Sequence, residues 1–255
     1  MKLEVGRQKS NQLDLNKKMT RTPISRATVD LFCECPRCFY LQQKHGLRRP
    51  PGFPFTLNSA VDKLMKAEFD IHRSAKTMHP IITMKGLNLL PVQHQNINDW
   101  RNTRRGIRAT YREQEFFGVI DDIWQNPLQG TWHVVDYKAT AKKDAVIALD
   151  DSAEHHQTYK RQISFYTWLF QRAGFPASQT GYFVYTTGNN NLPTFEDKLT
   201  FRTHLIESIC DTSWIEPTLD AIIQCLDSPS IPPSSVKCNF CNYIQQRNQT
   251  ENLRS

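Results

Sequence analysis

Four stretches of the chain carry apolar residues at the spacing of an amphipathic helix. They span residues 25–45, 57–72, 157–172 and 214–226. In the second stretch Val61, Met65 and Phe69 recur with a period of about 3.6 residues. Ser25 is a suitable N-cap for the first helix, which the Cys-Pro step should interrupt. The third ends before Gly174, a residue type that commonly terminates helices.

Other stretches are short, apolar and rich in β-branched or aromatic residues, which is typical of strands. They span residues 107–111, 116–124, 132–137, 182–187 and, as a candidate edge strand, 195–206. The run Asn-Pro-Leu-Gln-Gly at 126–130 predicts a turn between two of them. Helices and strands in mixed order predict a single α/β or α+β domain.

The charge of the chain is basic and unevenly placed. Its 255 residues include 32 Lys and Arg against 25 Asp and Glu, a formal net charge of +7, which favours an acidic partner such as nucleic acid. Residues 1–22 are basic without hydrophobic periodicity, so we predict a disordered tail there, a single domain at 23–245 and a flexible tail at 246–255. A second basic cluster contains no acid: Arg101, Arg104, Arg105, Arg108 and Arg112.

The sequence gives no sign of a membrane or secretory segment. No apolar run approaches the roughly 18–20 residues of a membrane helix, and the N-terminus lacks the apolar core of a signal peptide. We therefore expect an intracellular, cytoplasmic protein whose seven cysteines are reduced.

Four of the cysteines form two CxxC pairs, Cys35 with Cys38 and Cys238 with Cys241. This spacing lets two thiolates bind one metal from a tight turn, and four thiolates around one centre suit zinc or an iron–sulfur cluster. Such a centre would join the two ends of the domain and couple metal binding to folding. The alternative is two unrelated pairs of reduced thiols.

The densest candidate chemistry lies at the ends of two predicted strands. Asp121 closes one strand, and the next carries Asp136 and Lys138, which a period of two places on one face. Paired carboxylates supply the hard oxygens that Mg²⁺ or Mn²⁺ prefers, and such an ion activates water against a phosphodiester. Lys138 would orient that water or stabilise negative charge in the transition state. Two structural aspartates and a solvated lysine would give the same spacing.

Three pairs of residues follow one another in a recognisable order: Gly118 and Asp121, Asp136 and Lys138, and then Gln162 and Tyr166 on a helix. This order resembles the PD-(D/E)XK nuclease superfamily, especially its RecB-like branch and the CRISPR-associated RecB-like exonucleases. The Cys-Pro-Arg-Cys-Phe-Tyr-Leu run at 35–41 and the segment 231–243 also look like that branch. The resemblance covers about residues 25–245.

The resemblance implies a restriction-endonuclease-like core, with a central mixed β-sheet flanked by helices. The N- and C-terminal segments would be joined by the cysteine-ligated metal site. It also implies that Gln162 and Tyr166, four residues apart and therefore on one helix face, lie near the catalytic centre and the DNA.

Two features depart from the family pattern. Members with an iron–sulfur cluster usually have one N-terminal and three C-terminal cysteines, whereas this chain has two and two, so Cys38 would replace the missing ligand. We favour a [4Fe–4S] cluster, with Zn²⁺ as the alternative. On the second helix Asp62 stands where RecB-like nucleases commonly have a metal-binding histidine, and an aspartate there can still bind Mg²⁺ or Mn²⁺.

We therefore predict a metal-dependent nuclease that hydrolyses DNA, single-stranded or at duplex ends, in repair, recombination or CRISPR-type processing. Asp62, Asp121 and Asp136 would bind the metal, and the five arginines would hold phosphates. An exonuclease mode and partner proteins of a DNA-processing complex are compatible with this prediction. The main alternative is a catalytically inactive nucleic-acid-binding protein with a structural zinc or iron–sulfur site. A third interpretation is a redox sensor with reversible CxxC disulfides and no metal.

Overall fold

The computed structural model describes residues 22–53 and 55–252. The helices of that part are α1 (Arg26–Glu34), α2 (Pro36–His45), α3 (Thr56–Ala75), α4 (Pro80–Met84), α5 (Ile97–Trp100), α6 (Glu154–Arg172), α7 (Ile215–Asp227) and α8 (Asn239–Asn252). The strands are β1 (Ile24–Ser25), β2 (Leu90–Pro91), β3 (Ile107–Tyr111), β4 (Gln114–Gly118), β5 (Asp122–Gln125), β6 (Trp132–Lys142), β7 (Thr180–Asn189) and β8 (Phe201–Ile209). Apart from Thr22, the predicted N-terminal tail lies outside the described residues.

Five strands form the central sheet in the order β2-β5-β6-β7-β8. β6 and β7 are parallel, and every other neighbouring pair in this sheet is antiparallel. A second sheet has the order β1-β4-β3. The predicted α/β architecture, a central mixed sheet flanked by helices, is confirmed.

The two faces of β6 belong to different halves of the core. Val134 packs in a cluster with α6, whereas Val135 packs in the opposite cluster with α3. Successive side chains of a strand point to opposite faces, so Asp136 and Lys138 share the face of Val134. The alternation therefore directs the candidate catalytic pair toward α6.

The N-terminal helical region follows its local sequence signals. The Ser25 hydroxyl caps α1 by accepting a hydrogen bond from the Thr28 N–H at 3.2 Å. The predicted break falls at Cys35, because Pro36 occupies the first turn of α2, where its missing N–H costs no helical hydrogen bond. The break places Cys35 and Cys38 together at the start of a new helix.

The structure differs from the sequence predictions at three places. Residues 116–124 form two strands, because the chain bends after Gly118 and passes from the smaller sheet to the central one. The edge strand at 195–206 begins later, at Phe201. Residues 246–252, predicted as a flexible tail, extend α8, whose side chains are polar or exposed and gave no apolar period to recognise.

Candidate active site and cysteine cluster

Asp136 and Lys138 form an ion pair on the inner face of β6. The Asp136 side chain is completely buried, and the Lys138 side chain is 14% exposed. Lys138 Nζ also donates a hydrogen bond to Gln162 Oε1 at 3.1 Å. The strand thus presents a carboxylate and an ammonium side by side, and a hydrogen bond to helix α6 holds the ammonium in place.

Gln162 and Tyr166 lie one turn apart on α6 and contact each other. Gln162 Nε2 donates to the Tyr166 hydroxyl at 3.2 Å, while its Oε1 accepts from Lys138. Residues four apart share a helix face. The structure therefore links four of the predicted catalytic residues in one chain of contacts, from Asp136 through Lys138 and Gln162 to Tyr166.

Asp121 lies in the bend between β4 and β5, beside the same strand. Its Oδ2 accepts a hydrogen bond from the Tyr137 N–H at 2.9 Å, and its side chain is 21% exposed. Its charge acts on both Asp136 and Lys138. The bend that the sequence did not predict is thus what brings Asp121 to the middle strand of the sheet.

A lysine that sequence reasoning missed lies between two of the predicted metal ligands. Lys66 Nζ is 2.9 Å from Asp62 Oδ2 and 2.9 Å from Asp121 Oδ1. Asp62 and Lys66 are four residues apart on α3, a spacing that indicates a helical ion pair from sequence. The contact with Asp121 depends on how α3 packs against the sheet, which the sequence pattern does not show.

The site favours protonation of its buried carboxyl. Burial, together with the negative charge of Asp121, raises the pKa of Asp136 to about 6 despite the ammonium of Lys138. Burial lowers the pKa of Lys138, but the charges of Asp136 and Asp121 outweigh it and raise that pKa above its ordinary value. The lysine therefore keeps its positive charge beside the Asp136 carboxyl.

The donor set fits a divalent cation. Asp136 Oδ2 pairs with Lys138 Nζ, whereas the buried Oδ1 has no hydrogen-bond donor among the described residues. A buried carboxylate oxygen without a donor is costly, and Asp121 adds a second hard oxygen donor at its side. Asp121 and Asp136 could therefore hold Mg²⁺ or Mn²⁺, and Asp62 shares the ammonium of Lys66 with Asp121.

Arg26, at the start of α1, is a second residue that sequence reasoning missed. Burial lowers the pKa of Arg26, but its electrostatic interactions with Tyr166, Asp30 and Asp136 raise it by more. The pKa therefore lies above its usual value. Its guanidinium pairs with Asp30, and its Nε is buried without a hydrogen-bond partner in the described part of the chain. It adds a fixed positive charge on the α6 side of the site.

Four of the five clustered arginines pair with acidic side chains in the folded chain, and the partners of Arg101 and Arg112 are distant in sequence. Arg101 is only 10% exposed and pairs with Asp70 at 2.8 Å and Asp122 at 3.1 Å. The other pairs are Arg105 with Asp99, Arg108 with Glu115, and Arg112 with Asp220. Arg104 is exposed and makes no ion pair with a described acid. The structure thus places Arg101 in an internal network, which differs from the phosphate-binding role predicted for it.

The two CxxC pairs meet as predicted. The Cys35 and Cys241 sulfurs are 3.8 Å apart, and Cys38 Sγ lies 3.6 Å from the sulfurs of both Cys238 and Cys241. All four sulfurs lie within 4.8 Å of one another, so this cluster could hold a metal. Cys33, the third N-terminal cysteine, is exposed and outside the cluster.

Both pairs begin at helix N-termini, and a cation stands beside them. Cys35 and Cys238 directly precede the first turns of α2 and α8, where N–H groups and the helix dipole stabilise thiolates. Arg49 Nη2 lies 3.5 Å from Cys238 Sγ. Burial raises the pKa of Cys238, but hydrogen bonds from Cys241 and the neighbouring thiols outweigh it and lower the pKa to about 7.

Comparison with known families agrees with this geometry. A family model of the PD-(D/E)XK nuclease superfamily matches residues 23–246, which includes both cysteine pairs and every candidate catalytic residue. The chain belongs to the PD-(D/E)XK nuclease superfamily. Membership in this superfamily confirms the restriction-endonuclease-like core predicted from the motif order. Nucleases of the superfamily are phosphodiester hydrolases.

A solved structure described as a "putative exonuclease" from Eubacterium rectale is similar to this chain. It shows 12% sequence identity and a TM-score of 0.44 and covers 93% of this chain and 94% of its own. No curated protein matches the sequence. Among the described residues, no helix is long and apolar enough to span a membrane.

Proposed function

We propose that this superfamily member is an active, metal-dependent nuclease that hydrolyses DNA phosphodiester bonds. The observation that carries the proposal is the fully buried Asp136 carboxylate, which lies beside Asp121 and whose ion-pair partner among the described residues is the Lys138 ammonium alone. An aspartate that only stabilised the fold would be surrounded by several donors, as Asp122 is. A buried aspartate with one oxygen left without a donor, beside a second acid, is suited to a cation.

Asp121 and Asp136, with Asp62, would hold Mg²⁺ or Mn²⁺. When bound, such an ion polarises the phosphodiester and lowers the pKa of the attacking water. Lys138 provides the fixed positive charge for the developing negative charge of the phosphate, or orients the water. Gln162 and Tyr166 are positioning residues in this scheme, since Gln162 holds the ammonium of Lys138.

The substrate would be held through its phosphates. Arg104, exposed and without a described acidic partner, is the best placed of the predicted arginines, whereas Arg105, Arg108 and Arg112 would first exchange their acidic partners for phosphates. Such contacts position a strand without reading its sequence. The proposal therefore takes DNA ends or single strands of any sequence as substrate.

One observation favours a second candidate, a nucleic-acid-binding protein that does not cleave. Lys66 is paired with both Asp62 and Asp121, so its ammonium neutralises two of the three proposed ligands. If it stays there permanently, only Asp136 remains to bind a metal. The two candidates predict opposite outcomes in a cleavage assay.

The test is cleavage of end-labelled single-stranded DNA, duplex DNA and RNA by the full chain with Mg²⁺, with Mn²⁺ and with excess EDTA. Asp121→Asn, purified in the same way, excludes a contaminating nuclease. We expect DNA cleavage that requires the metal and that the variant lacks. No cleavage of any substrate, with nucleic-acid binding retained, would establish the second candidate instead.

A further inference from the structure

The spacing of the four clustered sulfurs identifies the metal that fits between them. A zinc–thiolate bond is about 2.3 Å, so two sulfurs on one tetrahedral ion lie about 3.8 Å apart. The observed separations are 3.8 Å for Cys35 with Cys241 and 3.6 Å for Cys38 with each of the other pair. These distances agree with four ligands around a single ion.

The same spacing is too small for an iron–sulfur cluster. In a [4Fe–4S] cluster each cysteine binds a different iron, so the thiolate sulfurs stand on the outside of the core, roughly 6 Å apart. Here no two of the four sulfurs are more than 4.8 Å apart. The cluster favoured from the sequence would require the two helix N-termini to move apart.

The surroundings of the cluster are those of a closed structural centre. Three of its cysteines are buried and the fourth, Cys241, is partly buried. Four protein ligands leave no open coordination position for substrate, which distinguishes structural from catalytic zinc. Arg49 fixes the outer side of the cluster, since it lies 3.5 Å from Cys238 Sγ, 2.7 Å from Glu34 and 4.7 Å from the ring centre of Phe240.

We infer that the four cysteines bind one tetrahedral Zn²⁺ ion, a redox-inert clasp between α2 and α8, in place of an iron–sulfur cluster. The inference does not depend on nuclease activity, because it concerns a centre with no open position. It also excludes the redox-sensor interpretation as stated above, which requires that the cysteines bind no metal.

The test is the metal content of the full chain, purified without oxygen from cells grown with excess iron, so that a cluster would survive. We expect one zinc per chain, no acid-labile sulfide and no visible charge-transfer absorption. Protein freed of metal should stay colourless when offered iron and sulfide. With Co²⁺ it should give the intense ligand-field and thiolate absorption of a tetrahedral site.

Two serine variants locate the ion. Cys241→Ser removes a proposed ligand and should abolish stoichiometric zinc, whereas Cys33→Ser alters an exposed cysteine on the same N-terminal segment and should retain it. Iron in place of zinc in the wild-type chain, with or without sulfide, would overturn the inference, and so would a folded chain with no bound metal. The wild-type measurement decides the question even if Cys241→Ser does not fold.

Discussion

Adjacent aspartates show how burial and partners distinguish a structural acid from a candidate catalytic one. Asp122 is completely buried and accepts hydrogen bonds from the Ile123 N–H at 2.7 Å, the Trp124 indole at 3.2 Å and the Tyr137 hydroxyl at 2.8 Å. Two arginines also pair with it. Asp121 is partly exposed and forms an ion pair with Lys66. Of the two aspartates, Asp121 is therefore the one whose carboxylate is available to a ligand.

Replacing Lys66 should tighten metal binding. In Lys66→Gln the ammonium no longer competes for Asp62 and Asp121, so we expect Mn²⁺ affinity to rise by about fivefold, the effect of one partly exposed ion pair. Calorimetric titration with Mn²⁺ measures this directly. Lys63→Gln, on an exposed face of the same helix, should leave the affinity unchanged, and weaker binding by Lys66→Gln would contradict the account.

The arginine cluster should divide into structural and binding positions. Arg101→Met leaves the buried Asp122 with one cation fewer, and we expect the free energy of unfolding to fall by about 3 kcal/mol in urea. Arg104→Met should change it by less than about 0.5 kcal/mol. The same Arg104 variant should weaken DNA binding and reduce the slope of log affinity against log salt by about one. Equal stability losses in both variants would refute this division.

Sequence reasoning found the residues whose spacing is local and missed those that depend on packing. The pairs Asp136–Lys138 and Gln162–Tyr166 follow from strand and helix periods, and the structure brings them together. Lys66 and Arg26 reach the site only because α3 and α1 pack beside it, and no pattern along the chain records that packing. The ion pairs of Arg101 were missed for the same reason, since its partners Asp70 and Asp122 are distant in sequence. The sequence therefore grouped it with the phosphate-binding arginines.

At the scale of elements, the contact between β4 and α6 fixes the position of α6 relative to the catalytic strand β6. Gly118 allows this contact, because an added Cβ would lie 2.5 Å from Tyr166 Cε1 and 3.0 Å from Leu169 Cδ1. The helix it supports carries Gln162, which holds Lys138. A side chain at this position would push α6 away from the catalytic strand.

Gly118→Ala should therefore impair both stability and cleavage. We expect a loss of about 1–3 kcal/mol in the free energy of unfolding and at least a tenfold or so decrease in the cleavage rate, since small displacements of positioning groups are costly. Urea unfolding and single-turnover cleavage give the two values. Gly52→Ala, in a loop with open space around its Cβ, should leave the cleavage rate unchanged.

Elements with strong periodicity were predicted well, and those defined by tertiary contacts were not. The strand Ile107–Tyr111 was predicted to the residue, and the amphipathic helices α3 and α6 within a few residues. The division of residues 116–124 between two sheets could not be predicted, because it depends on which strands the chain pairs with after Gly118. Helix α8 has no buried residue, so it lacks the apolar period by which helices are recognised.

At the scale of the whole molecule, the cysteine cluster joins the two ends of the domain. It connects the junction of α1 and α2 with the start of α8, across about 200 residues of chain. A metal ion bound there would close this long segment, restrict the unfolded chain and add its binding free energy to stability. It would also fix the position of α8, which has no buried residue of its own.

Removing the bound metal should lower the thermal stability of the entire domain. We expect the unfolding temperature to fall by more than about 10 °C when a strong chelator has taken the metal from the cysteines. Scanning calorimetry of the full chain, with metal content verified before and after, is the measurement. Identical unfolding temperatures for the two forms would show that the cluster does not stabilise the fold.

The central claim is that the buried carboxylate on β6 serves phosphodiester hydrolysis and not the fold. Its most direct test is the single-turnover rate of DNA cleavage by Asp136→Asn, which keeps the shape of the side chain and removes its charge. Asp151→Asn, at a side chain that is 76% exposed, is the matched control. We expect the Asp136 variant to lose cleavage by about a thousandfold while its DNA affinity stays within about twofold of the wild type, and the control to cleave normally. Equal cleavage by the wild type and Asp136→Asn would contradict the account.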